Sequence, residues 1–325
     1  MASSTKMATG VGKTAVCTGA TSGIGRACAL RLAEAGFSVV AIGRNAQRGA
    51  EVVEEMTACS ENSSLPAQHE FVSCDAFSLK NVVAAAEHIQ QSRKAVDVLV
   101  LSQGMGSVQG FTPTVDGNDE KLTLHYWGRM AFINALLPAL RTAAARTAGE
   151  EAAKRVSVRV ISILSGGVHS AYPGFKNDPE LKEGSYSLQN AANAAGFYTD
   201  LCLDAFARQP RNEGILFVHS APGFVNTNWG TEMPLYIRLP VRALQPLLGK
   251  SPSSCAEIML RPAFMPEAEL LGKEKPGEII LSEKGLPARR TDLHTPENVD
   301  AVYHLTGQVL ARSGIMLDDV STTGE

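Results

Sequence analysis

Short apolar runs alternate along the chain with longer segments whose apolar residues recur every three or four positions. Thr14 to Cys17, Phe37 to Ile42, His69 to Asp75, Val96 to Leu101, Arg159 to Gly167 (running into a loop), Ile215 to Ser220 and Gly277 to Leu281 predict strands. Val96 to Leu101 is nearly continuous in apolar residues, as expected of a strand buried on both faces of a parallel sheet. Between these runs, Ile24, Cys28 and Leu32 fall at i, i+4 and i+8, the stripe of a helix packed on a sheet. Further helices are predicted over Ala46–Thr57, Lys80–Arg93, Glu120–Leu140, from Ser185 through Ala207, over Ser253–Phe264, and from Pro296 to Leu310. Gly36 serves as a helix stop, Asn45 and Thr295 as N-caps, and Pro296 as a first-turn residue. The alternation of strand and helix predicts an α/β fold.

Polar stretches mark the connections: a surface loop over 58–68, a variable loop over 105–119 and an exposed extension over 142–155. No repeat or linker divides the span, so one domain is expected over 13–311, with tails at 1–12 and 312–325.

The 325 residues, 44% hydrophobic and 19% charged, are enough for a large core. A net charge of −3 gives no nucleic-acid footprint and no polybasic membrane surface. No apolar run has the length of a membrane span, and Met1 to Gly12 lacks the apolar core of a secretory signal, so a cytoplasmic location is expected. Cys17, Cys28, Cys59, Cys74, Cys202 and Cys255 are scattered without C-x-x-C spacing or a companion histidine cluster. They read as reduced thiols, and no metal site is expected.

The candidate chemistry begins at Thr18-Gly19-Ala20-Thr21-Ser22-Gly23-Ile24-Gly25, between the first strand and the first helix. Glycines there let the backbone turn sharply and let a pyrophosphate approach the helix N-terminus, whose dipole favours negative charge. The spacing is not the usual G-x-G-x-x-G. T-G-x-x-x-G-I-G near the N-terminus resembles the short-chain dehydrogenase/reductase family. A second run, Pro222-Gly223-Phe224-Val225-Asn226-Thr227, matches that family's P-G-x-V-x-T. The resemblance covers about Lys13 to Leu281 and is nearest the retinol-dehydrogenase-like branch. It implies a single Rossmann-type doubly wound parallel sheet with helices on both faces.

The second strand ends at Gly43-Arg44-Asn45, where an acid accepts from the ribose hydroxyls of NAD and an arginine pairs with the 2′-phosphate of NADP. Arg44 favours NADP over NAD. The resemblance further implies that Asp75 bonds the adenine amino group, that Pro222 and Gly223 shape the loop beside the nicotinamide, and that Thr227 contacts its carboxamide or the pyrophosphate. The family's N-N-A-G is here Leu101-Ser102-Gln103-Gly104; Gly104 survives, and altered hydrogen bonding is expected where the asparagines brace the sheet. His125 stands where the family carries a helix asparagine. Ser165 matches the substrate-binding serine, and Tyr186 the first position of Y-x-x-x-K, whose second position is Asn190.

Tyrosine has an ordinary pKa near 10, and a neighbouring cation lowers an acid by about 1–3 units, help that Asn190 cannot give. Protonated His125, the oxidised nicotinamide ring, Lys176 or Lys182 are the substitutes to weigh. Tyr172 and Tyr198 lack a lysine four residues on. The apolar segment 228–250, with Trp229, Leu235, Tyr236 and Leu239, either covers a lipophilic substrate or packs against other helices or a second copy, so a homo-oligomer stays open. The resemblance thus implies an NADP(H)-dependent oxidoreductase acting on a small-molecule carbonyl or alcohol. The alternative is a cofactor-binding regulatory pseudoenzyme, since Asn190 stands where the family has lysine.

Overall fold

The computed structural model describes residues 10–60, 66–149, 156–228, 230, 233–271 and 278–318. The expectations for residues 1–9, for Trp229, for Gly277 and for the tail from 319 onward lie outside the described residues.

The chain runs β1 (Thr14–Thr18), α1 (Gly23–Glu34), β2 (Ser38–Gly43), α2 (Ala46–Ser60), β3 (Glu70–Ser73), α3 (Leu79–Ser92) and β4 (Val98–Leu101). Then follow α4 (Glu120–Leu122), a π-helical turn (Thr123–Trp127), α5 (Gly128–Ala145), β5 (Val158–Ile163), α6 (Leu188–Arg208) and β6 (Ile215–Ser220). The last elements are α7 (Leu235–Leu248), α8 (Pro252–Met259), α9 (Arg261–Phe264), α10 (Glu267–Leu271), β7 (Ile279–Leu281) and α11 (Pro296–Ala311). The seven strands form one sheet in the order β3-β2-β1-β4-β5-β6-β7, every pair parallel.

Successive strand residues point to opposite faces, and the chain uses both. Val16, Val40, Leu99 and Val160 pack with α3, α5, α6 and α11, whereas Ala15, Cys17, Val39, Val100 and Ile161 pack with α1, α2 and α8. The strand order reverses between β1 and β4, and in open α/β sheets ligands bind beyond the strand carboxyl ends at such a switch point. The glycine turn after β1 and Ser102-Gln103-Gly104 after β4 both lie there.

Most predicted elements form within a few residues of their expected bounds. Asn45 Oδ1 accepts from Arg48 N–H at 2.9 Å, and Thr295 caps α11 through Asn298 N–H. β4 starts two residues later than the apolar pattern, because Val96 N–H bonds to Ala139 O instead of joining the ladder. The helix expected from Ser185 begins only at Leu188, where Ser187 Oγ accepts from Asn190 N–H at 3.0 Å. All six cysteines are free, and Cys59 alone of them is exposed. Among the described residues, no helix is long and apolar enough to cross a membrane.

Candidate active site

The turn after β1 is built for close backbone approach. Gly19 and Gly23 have positive φ, at 68° and 57°. A Cβ on Gly19 would stand 2.8 Å from Gln103 N, and one on Gly25 2.3 Å from Gly19 O. No side chain of Ser22 caps α1, so the first-turn N–H groups stay available to an anion. Thr227 Cγ2 lies 3.3 Å from the Cβ position of Gly23, so the Pro222–Thr227 run reaches the glycine turn although far from it in sequence. Thr21 fills the space beside Gly43, and Ile24 opens α1 just past the turn.

Arg44 is exposed beyond β2, its guanidinium 5.0 Å from the centroid of the Phe77 ring. Asp75 is exposed beyond β3, and its Oδ1 accepts from Phe77 N–H at 3.3 Å. Phe77 therefore holds both polar candidates on one edge of the crevice.

Beyond β4 the missing asparagines have a substitute that the sequence reading did not identify. Arg129 of α5 is buried and donates to Gln103 O at 2.6 Å, Ser162 Oγ at 2.8 Å and Ile163 O at 2.9 Å. It ties the ends of β4 and β5 together. Thr18 Oγ1 is hydrogen-bonded to the Gln103 side chain and accepts from Ser102 N–H at 3.2 Å, joining β1 to the same brace.

His125 sits in the π-helical turn, a local widening of the helix frequent at functional sites. Its Nε2 accepts from Met105 N–H at 3.1 Å and lies 3.3 Å from the Cβ position of Gly104. Burial, Arg129 and Lys121 hold its pKa down at about 3. The expectation that a protonated His125 could replace the family lysine is therefore corrected: it is neutral near pH 7. Lys182 pairs with Glu180 at 2.7 Å, and Lys176 lies over the Phe175 ring.

Tyr186 precedes the Ser187 N-cap of α6, whereas Asn190 lies in the first turn of that helix. Tyr186 lies ahead of α6, edge-on to Phe111 and beneath Lys121 Nζ, and burial and the Asp119 carboxylate push its phenol upward. Asn190 turns back to donate to Ser185 O at 2.7 Å. Tyr172 and Tyr198 donate to Asp178 O and Pro179 O, each at 2.9 Å.

Two histidines hold the backbone of Ser165. Its peptide N–H donates to His219 Nε2 at 3.1 Å, and its carbonyl accepts from His169 Nδ1 at 2.8 Å. Both histidines reach Asp200 of α6: His219 Nδ1 at 2.5 Å from Oδ1, His169 Nε2 at 3.0 Å from Oδ2. Asp200, its ionised form favoured by the two histidines beside it, of which His219 is hydrogen-bonded to it, is held below the usual carboxylate range despite burial. Because Nε2 of His219 accepts from Ser165, its Nδ1 carries the proton toward Asp200. His169, Asp200 and His219 bring their ligand atoms within 4.8 Å of one another, the spacing of a metal cluster. That tautomer leaves His219 no lone pair toward the group's centre, so the donor set fits a proton network better than a metal.

The comparisons fit this frame. The family model for short chain dehydrogenases matches residues 13–177. The chain belongs to the short-chain dehydrogenase family. It is 32% identical to Oxidoreductase AN1596 of Emericella nidulans over 66% of this chain and 59% of that protein. The chain thus spans about three-fifths of that relative's length. With the polyprenol dehydrogenase of Mus musculus it shares 30% identity over 80% of this chain and 74% of the other, in keeping with the retinol-dehydrogenase-like branch. The crystal structure of a metagenomic short-chain oxidoreductase in complex with NADP has the same fold, with a TM-score of 0.58 at 19% identity, covering 85% of this chain and 99% of that one.

Proposed function

We propose that the protein is an NADP(H)-dependent oxidoreductase of a lipophilic small-molecule carbonyl or alcohol. The observation that carries this reading is the cradle of Gly19, Gly23 and Gly25 at an uncapped helix N-terminus, closed by Thr227. A Cβ at Gly19 would meet the backbone of Gln103 and one at Gly25 the carbonyl of Gly19, so the tight turn that forms the cradle requires glycine at both. Arg44, stacked on Phe77, supports a 2′-phosphate, and Asp75 an adenine contact. When bound, NADPH supplies the hydride. Ser165, fixed at the carboxyl end of β5 by two histidines, donates its hydroxyl to the substrate oxygen, and Tyr186 is the residue proposed to give it a proton. A raised phenol pKa keeps that proton in place at neutral pH.

The lipophilic part of the reading rests on α7, which exposes Leu235, Tyr236, Leu239, Leu247 and Leu248 while burying Gln245. Apolar surface of this size turned outward marks a binding or docking face. The helix end is tied to the Pro222–Thr227 run, since Lys250 N–H bonds to Phe224 O at 3.0 Å.

A cofactor-binding regulatory protein is the second reading, favoured by one observation: Tyr186 lies outside α6 and Asn190 is spent on Ser185. Calorimetric titration of NADPH and NADH into wild type and Arg44→Asp tests the shared cofactor step. NADPH affinity should fall tenfold or more in the variant, about 1.4 kcal/mol, with NADH little changed. Equal losses would remove Arg44 as the phosphate reader, and absence of NADPH binding to wild type would remove both readings.

A further inference from the structure

Four buried polar atoms around Asp200 have no hydrogen-bond partner among the described residues: His169 Nε2, Asp200 Oδ2 and both carboxylate oxygens of Glu278. Their side chains are closed to solvent, 3% exposed for His169, 1% for Asp200 and 0% for Glu278. A buried polar atom left unpaired costs free energy, and a buried carboxylate far more.

His169 Nδ1 donates to Ser165 O at 2.8 Å, so the neutral ring carries its proton there and keeps a lone pair on Nε2, 3.0 Å from Asp200 Oδ2. No hydrogen bond joins these two atoms, and two acceptors so close repel unless a cation lies between them. Asp200 Oδ1 is spent on His219 Nδ1, and His219 Nε2 on Ser165 N–H. Taken with His219, the group is therefore a lone pair short of holding an ion. Glu278 makes up the number. Ile280 is the register partner of His219, so Glu278, two residues before it, faces the same side of the sheet. Burial and then the Asp200 carboxylate push the Glu278 carboxyl upward, the mark of two acids brought together with too little positive charge. Arg290 Nε lies 3.9 Å from Glu278 Oε2, beyond a hydrogen bond, and Arg129 is committed to three neutral oxygens.

We propose that His169 Nε2, Asp200 Oδ2 and the Glu278 carboxylate form a closed site for a divalent metal ion of the zinc class, which ties the loop after β5 to α6 and β7. One imidazole nitrogen and three carboxylate oxygens make four donors, the number a structural zinc takes. Donors about 2.0–2.2 Å from one ion stand roughly 3 Å apart, as His169 Nε2 and Asp200 Oδ2 do. Both are braced from behind in the way of ligating side chains, His169 by the Ser165 carbonyl and Asp200 by His219. Gly196 gives the ring its room, since a Cβ there would stand 2.5 Å from His169 Cγ. Burial opposes and the Asp200 carboxylate favours a proton on His169, the balance being upward; proton and metal ion compete for the one lone pair. Because His169 also holds the Ser165 carbonyl, the ion fixes the backbone of Ser165 without touching substrate.

The test is calorimetric titration of Zn²⁺ alone into the chelator-washed full chain, with X-ray absorption on the loaded protein. Wild type should bind one equivalent through nitrogen and oxygen at about 2.0–2.2 Å, with no sulfur at about 2.3 Å. Zn²⁺ should also raise its unfolding midpoint. His219→Gln, which removes only a brace, should weaken binding by about 10–100-fold, and Asp200→Asn and Glu278→Gln by at least as much. Where Asp200→Asn does not fold, Glu278→Gln gives the same reading. No uptake by wild type, sulfur among the ligands, or equal affinity in wild type and Glu278→Gln overturns the proposal.

Discussion

Gly196 and His169 share one volume: a single carbon added to the first would lie 2.5 Å from Cγ of the second. Overpacking of this kind costs about 1–3 kcal/mol, whereas alanine in place of glycine inside a helix contributes about 0.5–1 kcal/mol. Gly196→Ala should therefore lower stability by roughly 1–2 kcal/mol in denaturant unfolding. A more stable variant would show that the ring is not confined there.

Arg129 should be the most sensitive single residue of the sheet's carboxyl edge. Arg129→Leu removes three hydrogen bonds and leaves Gln103 O and Ile163 O buried without that partner. Each unsatisfied group costs about 1–3 kcal/mol, so the loss should be on the order of 3 kcal/mol. Its pKa, lowered by burial to about 9, still leaves it charged at neutral pH. A change below about 0.5 kcal/mol, the scale of ordinary surface substitutions, would mean that the strand ends hold without it.

How far the sequence foretold this follows from how local each feature is. The glycine turn, the Asn45 and Thr295 caps and the strands are written in neighbouring residues, and the strands formed within a few residues of their expected bounds. The start of α6 was misjudged because Ser185-Tyr186-Ser187 offers two serines as caps, and the structure uses the second. Arg129 was passed over because arginine in a helix is ordinarily a surface residue. The His169–Asp200–His219 cluster comes from a loop, a helix and a strand; its members have no short spacing that signals metal or proton chemistry, and a carboxylate within a helix is ordinarily solvated. The one local hint was Gly196 inside an alanine-rich helix, where a packing reason is the usual explanation.

Stability should fall on both sides of a neutral optimum, for different histidines. His125 and His219 have depressed folded pKa values, so below the unfolded value near 6.5 the unfolded chain binds more protons. Stability should then drop as pH falls, by about 1.4 kcal/mol per unit for each proton taken up, down to about 3 for His125. His169 has a raised folded pKa, so its contribution is complete below 6.5 and is lost as pH rises through the folded value. Urea unfolding across pH checks this: His169→Gln should remove the alkaline loss and leave the acid one. An alkaline loss unchanged in that variant would assign it to another group.

The most direct measurement of the central claim is NADPH consumption over a panel of aldehydes, ketones and quinones, run with wild type and Ser165→Ala at matched cofactor saturation. The account predicts turnover by the wild type with at least one lipophilic carbonyl, and a loss of tenfold or more in kcat for Ser165→Ala with NADPH affinity unchanged. Saturating NADPH binding with no consumption by wild type on any class, or equal turnover by both proteins, would contradict it.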